Sequence, residues 1–122
     1  MTTFALGTTD FNVSAVLCDY LQNRLSPDDV VHAVNVLPGD ADEEAVRDGA
    51  DALNVVQSRL GAFATVETVQ SEGGDPAAAI LDRAAEVGAD ELVVGRRPES
   101  AVTGAVLAEA DRPVVVVPLP PA

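Results

Sequence analysis

The chain has 122 residues, of which 48% are apolar, and it carries a formal net charge of −13. This length suits one domain with its own core and leaves no room for a second. Apolar runs such as residues 114–117 fall far short of the ~20 residues needed to cross a membrane. The seven basic residues, all arginine, are outnumbered by twenty acids, which disfavours nucleic acid as a partner because such a surface repels phosphate.

The small number of cysteine and histidine residues limits disulfide and metal chemistry. The lone Cys18 cannot form an internal disulfide, and with the lone His32 it cannot build an ordinary zinc site. The N-terminus has no basic stretch and leads directly into a strand-like segment, so we expect no signal peptide and a cytoplasmic location. A salt-rich cytoplasm would screen the repulsion among the acids, so a halophilic source is our hypothesis.

Strand and helix patterns alternate through the first half of the chain. Residues 3–7 predict a first strand, and the apolar residues of segment 13–25 recur at the spacing of an amphipathic helix, with Asp10 placed to cap it. Residues 30–37 predict a buried second strand. A second helix begins near the acids Asp42 and Glu43 and runs to about Leu60. Its predicted inward face consists of Val46, Ala50, Leu53, Val56 and Leu60.

The second half continues the alternation. Residues 64–70 predict a third strand, and a third helix begins at Asp75 and Pro76 and ends at Gly88. Residues 91–94 predict a fourth strand, residues 100–110 a helix of small residues, and residues 114–117 a fifth strand. The domain therefore spans residues 1–118, followed by a tail of residues 119–122.

This order predicts an α/β fold with three layers, in which helices cover both faces of a five-stranded parallel sheet. In such sheets the ligand crevice lies at the carboxyl ends of the strands, where the strand order reverses. Here those ends are the loops after Gly7, Leu37 and Gly95.

Three segments of the second half carry a family resemblance. They are Gly74-Asp75-Pro76, the run from Gly88-Ala89-Asp90 into the fourth strand, and Arg112-Pro113 before the valine run. In this order and spacing they resemble the universal stress protein family, and the first half is similar as well. The resemblance implies a Rossmann-like sheet of order 3-2-1-4-5, as in the adenine nucleotide alpha hydrolase-like group.

The resemblance also indicates which nucleotide-binding features are altered. Nucleotide-binding members carry an acidic residue at the end of the first strand, and here that position is Gly7, followed by Thr8 and Thr9. Asp10 lies nearby as a substitute, although its position fits a helix cap better. The contact to the base or sugar that the resemblance would imply is therefore lost.

The loop after the fourth strand departs from the family pattern Gly-x2-Gly-x9-Gly-Ser. Gly95 matches the first glycine, but Pro98 occupies the second position and cannot supply the same backbone angles or amide donor. The final pair falls on Ser100 and Ala101, so only residues 96–99 remain between. The helix that begins near Ser100 keeps an N-terminus able to attract an anion, with Arg96 and Arg97 beside it, whereas the alternative is that both arginines are solvated or paired with acids.

The fifth strand is an edge strand in the family's sheet order. An apolar edge invites pairing with a second chain, and universal stress proteins commonly dimerise through this strand. The resemblance thus implies a homodimer with contacts from Val114, Val115, Val116 and Val117.

The leading functional hypothesis is a non-catalytic stress-response or regulatory module that acts through dimerisation and an unidentified protein partner, with nucleotide binding weakened or lost. It would need no cofactor, metal, membrane or nucleic acid. The alternative is a sensor that binds ATP or AMP using Thr8, Thr9, Val36, Gly95, Arg97 and Ser100. A third hypothesis, a hydrolase-like enzyme, lacks the phosphate motifs, and no Gly-x-Ser-x-Gly nucleophile elbow occurs.

Overall fold

The computed structural model describes residues 1–96 and 101–119. Five strands and four helices alternate along these ranges. They are β1 (Thr3–Gly7), α1 (Phe11–Gln22), β2 (Val30–Leu37), α2 (Glu43–Leu60), β3 (Thr65–Glu72), α3 (Pro76–Val87), β4 (Glu91–Arg96), α4 (Ala101–Glu109) and β5 (Val114–Pro118).

The strands form one parallel sheet of order β3-β2-β1-β4-β5, which confirms the predicted fold class and strand order. The order reverses between β1 and β4, where Ala5 pairs with Leu92. β5 pairs with β4 and forms one edge of the sheet, while β3 forms the other.

Helices cover both faces of the sheet and divide the core in two. α1 and α2 pack together on one face over Leu6 and Val31, and α3 and α4 pack on the other over Ala5 and Leu92. Because neighbouring residues of a strand point to opposite faces, Gly7 lies on the same face as Ala5, toward α3.

Helix caps follow the predicted residues. The Asp10 carboxylate accepts a hydrogen bond of 3.0 Å from the Val13 amide, which confirms its capping position. Asp42 and Asp75 cap α2 and α3 in the same way. Gly88 ends α3 in the left-handed conformation, with φ of 63°.

Three details of the sequence prediction need correction. α1 ends at Gln22, so Leu25 packs against the core from the following loop. β3 and β4 each continue two residues beyond the predicted ends. The predicted inward face of α2 was wrong at Val46, which is 38% exposed, and at Ala50, which is only half-buried. Gly49 and Ala52 are buried instead, because α2 turns that side toward β2 and β3.

Within the described ranges, no helix combines the length and the apolar character needed to cross a membrane.

Candidate functional site

A cavity of about 140 Å³ lies at the carboxyl ends of β1 and β4, at the reversal of strand order. Five of the predicted site residues line it, all at or after strand ends: Gly7, Thr8, Thr9, Val36 and Gly95. The topology brings these residues together although they come from three separate strands. The cavity therefore occupies the place where an open α/β sheet holds a ligand.

The remaining predicted residues lie elsewhere. Arg96 and Ala101 are exposed, at the end of β4 and the start of α4, and neither lines the cavity. Arg97 and Ser100 fall outside the described residues, as does Pro98. The predicted dimer valines lie on β5, where Val117 is buried and the other three are half-buried within the single chain.

Sequence reasoning missed the other lining residues, which come from helices, from strands and from the segment after β5. These are Val13 of α1, Val34 of β2, Pro76 and Ile80 of α3, Val94 of β4, Val102 and Thr103 of α4, and Leu119. Glycine at position 7 permits the close approach of another group. Which residue approaches depends on tertiary packing that the sequence pattern does not encode.

Ile80 takes up the space beside Gly7. A Cβ atom at position 7 would lie 2.6 Å from the Ile80 Cδ1 atom and 3.2 Å from Cγ1. These distances are well inside van der Waals contact, so any side chain at position 7 requires Ile80 to move. The position at which the family resemblance implies an acid is thus a glycine, and the buried Ile80 is packed against it.

Leu119 covers the other glycine of the site. Its side chain lies 3.0 Å from the point where a Cβ of Gly95 would stand, and its amide donates a 3.3 Å hydrogen bond to the Arg96 carbonyl oxygen. On the same strand end, the Thr103 hydroxyl donates a 2.6 Å hydrogen bond to the Gly95 carbonyl oxygen. The backbone around Gly95 is therefore packed and hydrogen-bonded by groups of this chain.

Thr8 also uses its hydrogen-bonding groups within the protein. Its amide donates to the Val34 carbonyl oxygen at 3.0 Å, and its hydroxyl lies 2.6 Å from the Ser14 hydroxyl. The Ser14 hydroxyl donates its proton to the Ala52 carbonyl oxygen at 2.7 Å. In the hydrogen bond between Thr8 and Ser14, the Thr8 hydroxyl is therefore the donor. Both hydrogen-bond donors of Thr8 are used, and among the predicted threonines Thr9 is the one that is exposed.

A network of two side-chain amides, the buried Asn35 and the exposed Gln70, fixes the loop after β1 from beneath. The Asn35 Nδ2 atom donates to the Thr8 carbonyl oxygen at 3.0 Å, and the Asn35 Oδ1 atom accepts from Gln70 Nε2 at 3.2 Å. Gln70 also donates to the Val46 carbonyl oxygen at 3.0 Å. This network ties the loop to β2, β3 and α2, and so holds the floor of the cavity in one conformation.

The cavity is mainly aliphatic. None of its described lining residues carries a charge, and the Thr8 and Thr103 hydroxyl protons point to protein acceptors. Within the described ranges, no three histidine, cysteine or carboxylate side chains come together as metal ligands. The arrangement can exclude water and accept apolar groups, and it offers little to a phosphate.

Cys18 and His32 lie outside the cavity. Cys18 is fully buried, and burial raises the pKa of its thiol to about 11, so it remains an unreactive thiol at neutral pH. Burial lowers the pKa of His32, with a smaller opposing effect from Glu67, whose carboxylate lies 3.3 Å away. Cys18 therefore lacks the thiolate character that nucleophilic catalysis needs.

The sequence model of the universal stress protein family matches residues 18–118. No curated protein sequence matches the chain at a significant level.

Solved structures of the family share the fold. A universal stress protein from Archaeoglobus fulgidus is 21% identical with a TM-score of 0.73, and the alignment covers 96% of this chain and 93% of that one. The universal stress protein from the same organism in complex with dAMP is 23% identical, with a TM-score of 0.69 and coverage of 96% and 97%. A family member from Arabidopsis thaliana with AMP bound is 19% identical, with a TM-score of 0.74 and coverage of 98% and 92%.

Proposed function

The chain belongs to the universal stress protein family, and we propose that it is a non-catalytic, cytoplasmic regulatory module in which nucleotide binding is weakened or lost. It works as a homodimer through the edge strand β5 and through contacts with another protein. The observation that carries the proposal is the packing of Ile80 against Gly7, at the position of the missing acid.

The size of the cavity supports weakened binding. Its volume of about 140 Å³ is less than half of the ~300 Å³ at the lower end of ordinary ligand pockets, and a nucleotide belongs to the larger ligands. Leu119 and Ile80 both reduce the space at the two glycines where a nucleotide would approach the backbone.

The electrostatics support the same conclusion. A nucleotide brings negative charge to a chain of net charge −13, and the described lining offers no cation in return. Thr8 and Thr103, which could donate to a phosphate or ribose, donate to Ser14 and Gly95 instead. Binding would therefore require breaking internal hydrogen bonds, each of which costs about 1–3 kcal/mol when a buried partner is left unpaired.

A nucleotide sensor is the second candidate, because solved family members bind dAMP and AMP and the cavity of this chain lies at the strand ends. Absorbance of the supernatant after denaturing the purified protein separates the two candidates. The proposed module releases no adenine nucleotide, whereas stoichiometric release would establish the sensor and overturn the proposal.

A pair of variants tests the role of Ile80. Ile80→Ala removes the obstruction alone, and Gly7→Asp combined with Ile80→Ala also restores the acid. We expect the double variant to bind AMP at least tenfold more tightly than the parent and more tightly than Ile80→Ala, because only it regains a ligand acceptor. Equal AMP affinity of the parent and the double variant would show that Ile80 and the missing acid do not weaken binding.

A further inference from the structure

We infer that the cavity between β1 and β4 is a binding site for a small, uncharged apolar molecule, about the size of a benzene ring or a short branched hydrocarbon. This deepens the proposed function and rests on it, since a site that keeps its nucleotide would not be open to another ligand class. Such a molecule would act as the signal to which a non-catalytic module responds.

The lining defines the ligand class. Aliphatic side chains from both helical layers and from the sheet converge on the cavity: Val13, Val34, Ile80, Val94, Val102 and Leu119. Transfer of apolar surface from water into such a lining is favourable by roughly 25 cal/mol per Å². A neutral ligand also meets no repulsion from the acidic chain.

The buried threonines at the cavity, Thr8 and Thr103, do not offer their protons to water. The Thr8 proton goes to Ser14, the Thr103 proton goes to the Gly95 carbonyl oxygen, and the Thr8 amide goes to Val34. A water molecule is held in a buried site when it finds two to four polar partners. Because these donors are already satisfied, water beside the buried aliphatic lining, away from the exposed Thr9, is held weakly and an apolar ligand displaces it readily.

The volume sets the size of the ligand. An enclosed apolar cavity of about 150 Å³ accepts benzene or xenon, and the cavity here, although partly open, has a similar volume of about 140 Å³. Ile80 and Leu119 determine this volume, because their side chains fill the space over Gly7 and Gly95. The cavity is partly open to solvent and the exposed Thr9 is one of its lining residues, so a ligand enters without unfolding of the domain.

Thermal unfolding of the full chain in the presence of benzene tests this inference. At a ligand concentration ten times Kd, we expect Tm to rise by about 5 °C. Sodium benzoate, which has the same ring with a negative charge, should leave Tm unchanged. No shift with benzene, or an equal shift with benzoate, would overturn the inference.

Two matched variants show whether the benzene-induced rise in Tm comes from binding in the cavity. Val102→Phe places a ring inside the cavity and should abolish the benzene shift, whereas Val46→Phe changes an exposed valine of α2 outside the cavity and should retain it. A benzene shift that survives in Val102→Phe would place the ligand elsewhere. Methyl NMR of the parent protein gives an independent readout if Val102→Phe does not fold: benzene must shift the Ile80 and Val94 methyl signals more than that of Val46.

A parallel titration with AMP keeps this inference separate from the proposed function. If benzene stabilises the protein and AMP does not, both stand. If neither stabilises it, the apolar-ligand inference fails and the proposed loss of nucleotide binding stands. If AMP stabilises it, the proposed function fails, and the inference that rests on it fails as well.

Discussion

Gly49 shows how a single missing side chain organises the floor of the site. It lies in α2 facing the amide network, and a Cβ atom there would collide with Asn35 Oδ1 and lie 2.6 Å from Gln70 Nε2. Those two amides hold the loop after β1 through the Thr8 carbonyl oxygen. Glycine is therefore needed at position 49 because α2 approaches Asn35 and Gln70 closely there, and not because the backbone angles are unusual.

Replacing Gly49 with alanine should destabilise the protein by about 1–2 kcal/mol, although alanine normally stabilises a helix interior by about 0.5–1 kcal/mol relative to glycine. Gly104→Ala is the matched control, because a Cβ in α4 at that position meets nothing within 4 Å and should give the ordinary gain. Urea unfolding of both variants measures the difference. A gain of stability in Gly49→Ala would mean that the network is not needed.

His32 makes stability dependent on pH. Burial lowers its pKa in the folded protein, Glu67 opposes this and Arg83 adds to it, so the unfolded chain binds the proton more readily. Stability should therefore fall as the pH drops below about 6.5, the ordinary histidine value. The expected result is a larger loss of unfolding free energy between pH 7.5 and 5.5 in the parent than in His32→Gln. Identical losses would contradict the lowered pKa.

At the scale of elements, the two edges of the sheet differ in character. β3 exposes polar side chains such as Glu67, Gln70 and Glu72 along eight residues, which discourages pairing with another sheet. β5 presents four consecutive valines, three of them only half-buried. If the chain forms a dimer by strand pairing, β5 is the edge that favours it.

Val116→Asp should convert the proposed homodimer into a monomer, because it puts a charge into the apolar edge without disturbing the buried Val117. Val46→Asp provides the control, as an exposed valine on α2 that should leave the dimer intact. Light scattering coupled to size exclusion reads the mass directly. A parent protein that is already monomeric, or a variant that stays dimeric, would exclude β5 as the interface.

Most of the element order could be predicted from the sequence, since β-branched runs, caps and turn residues are local signals. The inward face of α2 could not, because Gly49 has no apolar side chain to mark it and its burial depends on Asn35 and Gln70 from other strands. The residues of the cavity could likewise be predicted only in part. Gly7 and Gly95 were identified from the predicted strand ends and the family resemblance, while Ile80 and Leu119 were not recognised as lining residues, because only tertiary packing brings them to the glycines.

At the scale of the whole molecule, the main feature is the excess of acidic residues. Twenty acids and seven arginines give a net charge of −13, so the folded chain repels itself in dilute buffer. The screening length falls from about 10 Å at 0.1 M salt to about 3 Å at 1 M, which removes most repulsion between exposed carboxylates.

We therefore expect Tm to rise by about 5 °C or more when potassium chloride is increased from 0.1 M to 2 M. The halophilic hypothesis rests on this dependence. Differential scanning calorimetry across the salt series measures it, and a Tm that is constant over the series would argue against a salt-adapted protein.

We propose that in this member of the universal stress protein family a small aliphatic cavity takes the place of a nucleotide site. Calorimetric titration of AMP and ATP into the parent protein at high salt tests it most directly. The predicted result is a Kd weaker than about 1 mM, a binding free energy smaller in magnitude than about 4.1 kcal/mol. Saturable binding with a Kd below that value would contradict the claim.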